Sequence, residues 1–91
     1  MIAKRALFEG RVQGVGFRYA VKQLATGFDV LGSIKNLPDG SVELRIMGEH
    51  DEVEEFLKEI VEESAMAHYI KDMHSHEIPL MEGVRGFTIT A

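Results

Sequence analysis

Gly10-Arg-Val-Gln-Gly-Val-Gly-Phe-Arg18 places three glycines and two arginines in nine positions. Its flanks decide the reading. From Phe17 onward Phe17, Ala20, Val21, Leu24 and Ala25 recur at i, i+3, i+4, i+7 and i+8, the stripe of an amphipathic helix. The residues ahead of it alternate: Ala6, Phe8 and, past Gly10, Val12 predict a strand. The glycines therefore join a strand to a helix. Gly is favoured where the backbone takes positive φ or approaches another group closely. The first N–H groups of a helix lack intrahelical partners and sit at the positive end of its dipole. Glycines ahead of that end let successive N–H groups curl around an anion, and Arg18 adds a planar, permanently charged fork. A plain turn, with Gly14 and Gly16 bending the chain and Arg18 solvated, accounts for the same residues. Two other phosphate loops are excluded. No Gly-Lys pair exists for a Walker A motif, and the third glycine of a dinucleotide fingerprint would fall on Tyr19.

Bulk properties bound the rest. Ninety-one residues fit one domain over positions 1–91. Fifteen acidic against ten basic residues give a formal charge of −5, the wrong sign for a nucleic-acid partner. An anion site must then be local, focused by a few groups. There is no Cys, which removes disulfides, Cys-ligated zinc and thiol nucleophiles together. With no apolar run of signal-peptide or membrane-spanning length, a cytoplasmic protein without a membrane partner is expected.

Further along, Gly27 is expected to cap the first helix. Phe28, Val30, Gly32 and Ile34 step by two into a second strand, and Asn-Leu-Pro-Asp-Gly-Ser (36–41) marks a hairpin. Val42, Leu44 and Ile46 give a third strand. Asp51 is expected to cap a second helix whose stripe is Val53, Phe56, Leu57, Ile60 and Val61, the intervening glutamates forming its solvated face. The stretch 67–78 reads as a strand running down to Pro79, and Gly86 to Thr90 as a short closing strand. The order predicts an α+β, ferredoxin-like βαββαβ sandwich: an antiparallel sheet with two helices on one face, plus a short C-terminal strand. Met47, Met66, Met73 and Met81 read as packing residues. His74 and His76 share one side of a strand, but Asp72 is the only same-parity third ligand. With His68, they are expected to be solvated.

The segment Gly10-x-Val12-Gln13-Gly14-Val15-x-Phe17-Arg18 resembles the first signature of the acylphosphatase family. Gly32-x-x-x-Asn36-x-x-Asp39-Gly40-Ser41-Val42 resembles its second, in the family's order and at about its spacing. The resemblance covers Ala6 to about Ile60. Beyond the signatures the chain departs from the family. Phe28-Asp29-Val30 replaces a common Leu-Gly-Val, with Asp29 expected to tolerate a left-handed turn. Ala65 and Met66 replace a Pro-Pro pair whose frame Ser64, Ala67 and Tyr69 keep.

The resemblance implies hydrolysis of the carboxyl–phosphate bond of acyl phosphates to a carboxylate and inorganic phosphate. It assigns phosphate binding to the backbone N–H groups of Gln13, Gly14, Val15, Gly16, Phe17 and Arg18. It makes Arg18 and Asn36 the catalytic pair, Arg18 holding the phosphate and Asn36 orienting the attacking water; Asp39 and Gly40 only make the turn. The substrate is a small acyl phosphate, no cofactor or metal is implied, and a monomer is expected. The inventory agrees with such a route. No serine has a sequence-level triad partner, His50, His68, His74 and His76 lie outside both signatures, and phosphoryl transfer needs positioning more than a side-chain nucleophile. The rival reading is a non-catalytic anion-binding or regulatory module on the same fold. An RNA-binding module is disfavoured by charge and by the lack of stacking aromatics on strands one and three.

Overall fold

The structure, a computed structural model, describes residues 1–90; Ala91, the last residue of the expected domain, lies outside them. Five strands, β1 (Ile2–Gly10), β2 (Val30–Asn36), β3 (Val42–Gly48), β4 (Ile70–Ile78) and β5 (Phe87–Ile89), form one sheet in the order β4-β1-β3-β2-β5. The first four pair antiparallel, and β5 joins β2 in parallel. Helices α1 (Phe17–Ala25) and α2 (His50–Lys58) complete the expected βαββαβ order. Alternate strand residues Ala6, Phe8, Ile34, Val42, Leu44 and Ile46 share one buried cluster with Phe17 and Val21 of α1 and with Val53, Phe56 and Leu57 of α2. Because side chains alternate across a strand, both helices cover the same face.

Several boundaries move for local reasons. The first strand begins at Ile2, where pairing with Gly48 starts. It stops at Gly10, which takes φ +128° at a register shift against β4, and Val12 is buried in the loop instead. Gly27 does not cap α1 in a left-handed turn, and Asp29 is not left-handed. Thr26 closes the helix: its N–H and its Oγ1 both donate to the Gln23 carbonyl (3.2 and 2.7 Å), and the Gly27 and Phe28 N–H groups satisfy Leu24 and Ala25. Asp51 is not the cap of α2. The Val53 N–H bonds to the Glu49 carbonyl, so the helix opens two residues earlier and Asp51 and Glu52 lie in its first turn, at the positive dipole end. The helix ends in a π-helical turn, Glu59–Glu63, closed by the Ser64 N–H on the Glu59 carbonyl (2.8 Å). Positions 67–69, expected as strand, form a 3-10 turn, so β4 starts at Ile70. The last strand is shorter than expected at both ends.

On the face away from the helices, Glu43 of β3 is only 6% exposed. It accepts from Arg5 Nε (2.6 Å) and Arg45 Nε (3.3 Å), with Lys35 Nζ at 3.9 Å. Burial pushes its carboxyl up, but the hydrogen bonds and charges of Arg5 and Arg45 outweigh it and hold the pKa below the ordinary 4.5. A depressed carboxylate stabilises the fold above its unfolded pKa, and that stabilisation is lost as pH falls through the folded one. Urea unfolding followed from pH 7 downward should show stability declining once pH drops below the ordinary value. Glu43→Gln should start less stable and lose less on acidification; parallel acid limbs for the two proteins would rule out Glu43 as a source of the decline.

Among the sheet's glycines, Gly32 of β2 leaves the least room for a side chain. A β-carbon there would overlap the Arg45 carbonyl on β3. Gly32→Ala should therefore cost roughly 1–3 kcal/mol by forcing the strands apart, read as a lower urea midpoint. An unchanged midpoint would show that the strands give way freely.

Candidate active site

Gly10, Gly14 and Gly16 all take positive φ (128°, 77° and 82°), which an L side chain adopts only with strain. The backbone thus turns sharply three times between β1 and α1. The Arg11 N–H still bonds to the Tyr69 carbonyl (2.9 Å), anchoring the start of the loop. At its end Gly16 caps α1 without a side-chain cap bond, and its carbonyl receives the first helical bond from the Ala20 N–H (3.0 Å). Among the described residues, none of the N–H groups from Gln13 to Arg18 is engaged in a turn, loop or cap bond. Six successive donors are therefore free.

Positive charge accumulates at this end. The first turn of α1 holds no acidic residue, and Arg18 lies within it. A cation beside a helix N-terminus is unfavourable unless an anion joins them. The ion pairs of the described residues use Lys4, Arg5, Lys35 and Arg45 but not Arg18. Arg18 itself is half-buried.

Asn36 ends β2, paired with Val42, which is paired in turn with Phe8 of β1. These three form one row on the helix-covered face. Phe17 packs on Phe8 with ring centroids 5.2 Å apart, so the start of α1 stands over the row that Asn36 terminates. The loop with Arg18 and the end of the strand with Asn36 are brought to the same face and level. Asn36 Oδ1 is buried and no protein donor reaches it. A buried acceptor in that condition costs roughly 1–3 kcal/mol, and native proteins keep few of them.

The hairpin after Asn36 is built for rigidity. Gly40 takes φ +95°, the Leu37 N–H bonds to the Ser41 carbonyl (2.9 Å), and Asp39 Oδ1 accepts from the Ser41 N–H (2.9 Å) and Oγ (2.6 Å). Those two bonds from Ser41 hold the Asp39 carboxyl below the usual range. Asp39 and Gly40 are thus turn residues, as the sequence predicts. A shallow cavity between Glu9–Gly10 and Asp39–Ser41 opens beside the loop, but it carries two carboxylates and none of the residues 13–18.

The Gln13 side chain was not legible in the sequence, which suggested only its backbone N–H. Its amide reaches across to the hairpin: Nε2 donates to the Leu37 carbonyl (2.9 Å) and to the Ser41 carbonyl (2.8 Å). The histidines also sort differently. The group gathered around His74 takes Glu9 from the neighbouring strand rather than His76. His74 Nε2 lies 3.0 Å from Glu9 Oε1, and one ligand atom each of Glu9, Asp72 and His74 falls within 4.8 Å of the others. All three are solvent-exposed, and His68 stacks on Tyr69 in the 3-10 turn.

The acylphosphatase family profile matches residues 4–89. An acylphosphatase from Clostridium beijerinckii is 36% identical over 89 residues, covering 98% of each chain. The crystal structure of acylphosphatase from Bacillus subtilis superposes with TM-score 0.87 at 32% identity over the whole of both chains. The crystal structure of T. kodakarensis HypF matches with TM-score 0.85 at 28% identity, over all of this chain and 12% of that one. On the profile match and the full-length relatives, the chain belongs to the acylphosphatase family of hydrolases.

Proposed function

We propose that this chain hydrolyses acyl phosphates through a phosphate cradle at Gln13–Arg18 and a water oriented by Asn36. The buried, unpartnered Oδ1 of Asn36 is the observation that carries the mechanism. The free N–H groups of Gln13, Gly14, Val15, Gly16, Phe17 and Arg18 take the phosphoryl oxygens, and the Arg18 guanidinium holds them from the side. A water donates one O–H to Asn36 Oδ1, which turns its lone pair toward phosphorus. The new P–O bond forms as the bond to the acyl oxygen breaks. The carboxylate leaves with the electron pair, and the water's proton passes to a phosphate oxygen.

The chemistry asks for little else. Phosphoryl transfer gains most of its acceleration from positioning and from neutralising the equatorial oxygens. A carboxylate is a good leaving group, so no general acid is needed. The cradle reads only the phosphoryl end, which fits a range of small acyl phosphates. The rival reading, an anion-binding or regulatory module, draws on the likeness to a segment making up 12% of a HypF chain.

Hydrolysis of benzoyl phosphate by the purified protein separates the two. Turnover should be fast in the parent protein. Arg18→Ala should lower kcat/KM by about 100-fold or more, with KM raised and kcat reduced, since the fork acts on bound substrate and transition state alike. Asn36→Ala should lose kcat by about 100-fold while inorganic phosphate inhibits as before. Full activity in Asn36→Ala would refute water orientation by that residue and leave the cradle standing. A folded parent that binds phosphate without turnover would establish the binding module instead.

A further inference from the structure

We infer that the side-chain amide of Gln13 is a positioning residue for hydrolysis, fixing where Asn36 stands relative to the phosphate loop; this rests on the roles proposed above. The two bonds from Nε2 use both amide hydrogens, one on the Leu37 carbonyl and one on the Ser41 carbonyl. Each carbonyl already accepts a hairpin bond, Leu37 from the Gly40 N–H (3.1 Å) and Ser41 from the Leu37 N–H (2.9 Å). The fork therefore fills the second lone pair of each.

Its anchor points matter more than their number. Leu37 is the residue after Asn36, and Ser41 directly precedes Val42, the cross-strand partner of Asn36. The fork thus grips both sides of the Asn36–Val42 pair. Among the described residues, no other hydrogen bond joins segment 11–16 to segment 37–41. The loop and the strand end come from distant parts of the chain, so their relative position depends on this tie together with packing. A misplacement of about 1 Å between reacting groups is enough for a 100-fold loss.

Gln13→Met removes the donors at nearly equal size. The expected result is a kcat loss of about 10- to 100-fold, an unchanged inhibition constant for inorganic phosphate, and partial recovery of kcat in Gln13→Lys, which restores N–H donors. In the Asn36→Ala background, Gln13→Met should add less than about 2-fold, because it acts through Asn36. Thermal unfolding of each variant keeps the reading free of folding defects; should Gln13→Met not fold, Gln13→Lys and Gln13→Glu carry the same comparison, the carboxylate facing two carbonyls and losing kcat. Normal kcat in folded Gln13→Met, a phosphate affinity that falls with kcat, or a loss that multiplies fully onto Asn36→Ala would each overturn the inference while leaving the proposed roles intact. A fully active Asn36→Ala protein would overturn both, and is read from that single variant alone.

Discussion

The contact between Phe8 and Phe17 constrains the rest of this molecule. Phe8 ends the buried row of β1, Phe17 opens α1, and the two rings lie 5.2 Å apart in a fully enclosed site. Packing one on the other fixes the height and position of the helix start above the sheet. Only segment 11–16 then remains to reverse the chain from strand into helix. The Arg11 N–H on Tyr69 pins one end, so the segment has to curl, and it does so at glycines that tolerate positive φ. The unbonded N–H groups are a consequence of that curl. A helix free to rise or slide would allow a relaxed loop with its donors turned to water.

Charge is partitioned just as locally. The chain carries −5 overall, so long-range attraction of an anionic substrate is weak and capture depends on short-range groups. On the open face, Arg5, Lys35 and Arg45 converge on Glu43. On α2, Glu54 takes Lys4. Arg18 stands outside these pairs, in the first turn of a helix with no acidic residue there. Two like-signed features, a guanidinium and a helix N-terminus, are left together at the start of α1. That arrangement is unfavourable in the free protein, and the phosphoryl group of the proposed reaction would relieve it.

The sequence discloses whatever depends on local periodicity or turn chemistry. The α1 stripe from Phe17 to Ala25, the β2–β3 hairpin with its Asp39-Gly40 turn, and strands β1 to β3 are written as alternation, 3.6-residue repeat or glycine placement, whereas β4 alternates only weakly and starts three residues later than expected. Boundaries set by hydrogen-bond competition are not. Thr26 displaces Gly27 as the end of α1 because its hydroxyl and N–H both reach Gln23. The first bond of α2 goes to Glu49, ahead of Asp51. Contacts between strands distant in sequence are equally hidden: Glu9 reaches His74 only because β1 and β4 pair, and neither residue signals the other. The loop and Asn36 were legible as two motifs, but the Gln13 amide that links them was not, since a glutamine between Val12 and Gly14 looks like any polar loop residue.

The form of that link explains how it coexists with an ordinary hairpin sequence. Gln13 bonds to main-chain carbonyls, which every residue type presents. Nothing is therefore demanded of the side chains of Leu37 or Ser41 at the contact itself. The demand falls on the shape of the hairpin, which must bring two carbonyls within reach of one nitrogen. Gly40 at positive φ and the Asp39 bonds to Ser41 supply that shape. A side-chain-to-side-chain link would need two matched residues from separate segments, whereas this one needs a single donor and a correctly folded turn. Asn36, half-buried at the strand end with its buried side-chain Oδ1 unclaimed, takes its position from both: the turn closes the strand behind it, and the Gln13 fork sets the closed turn against the loop.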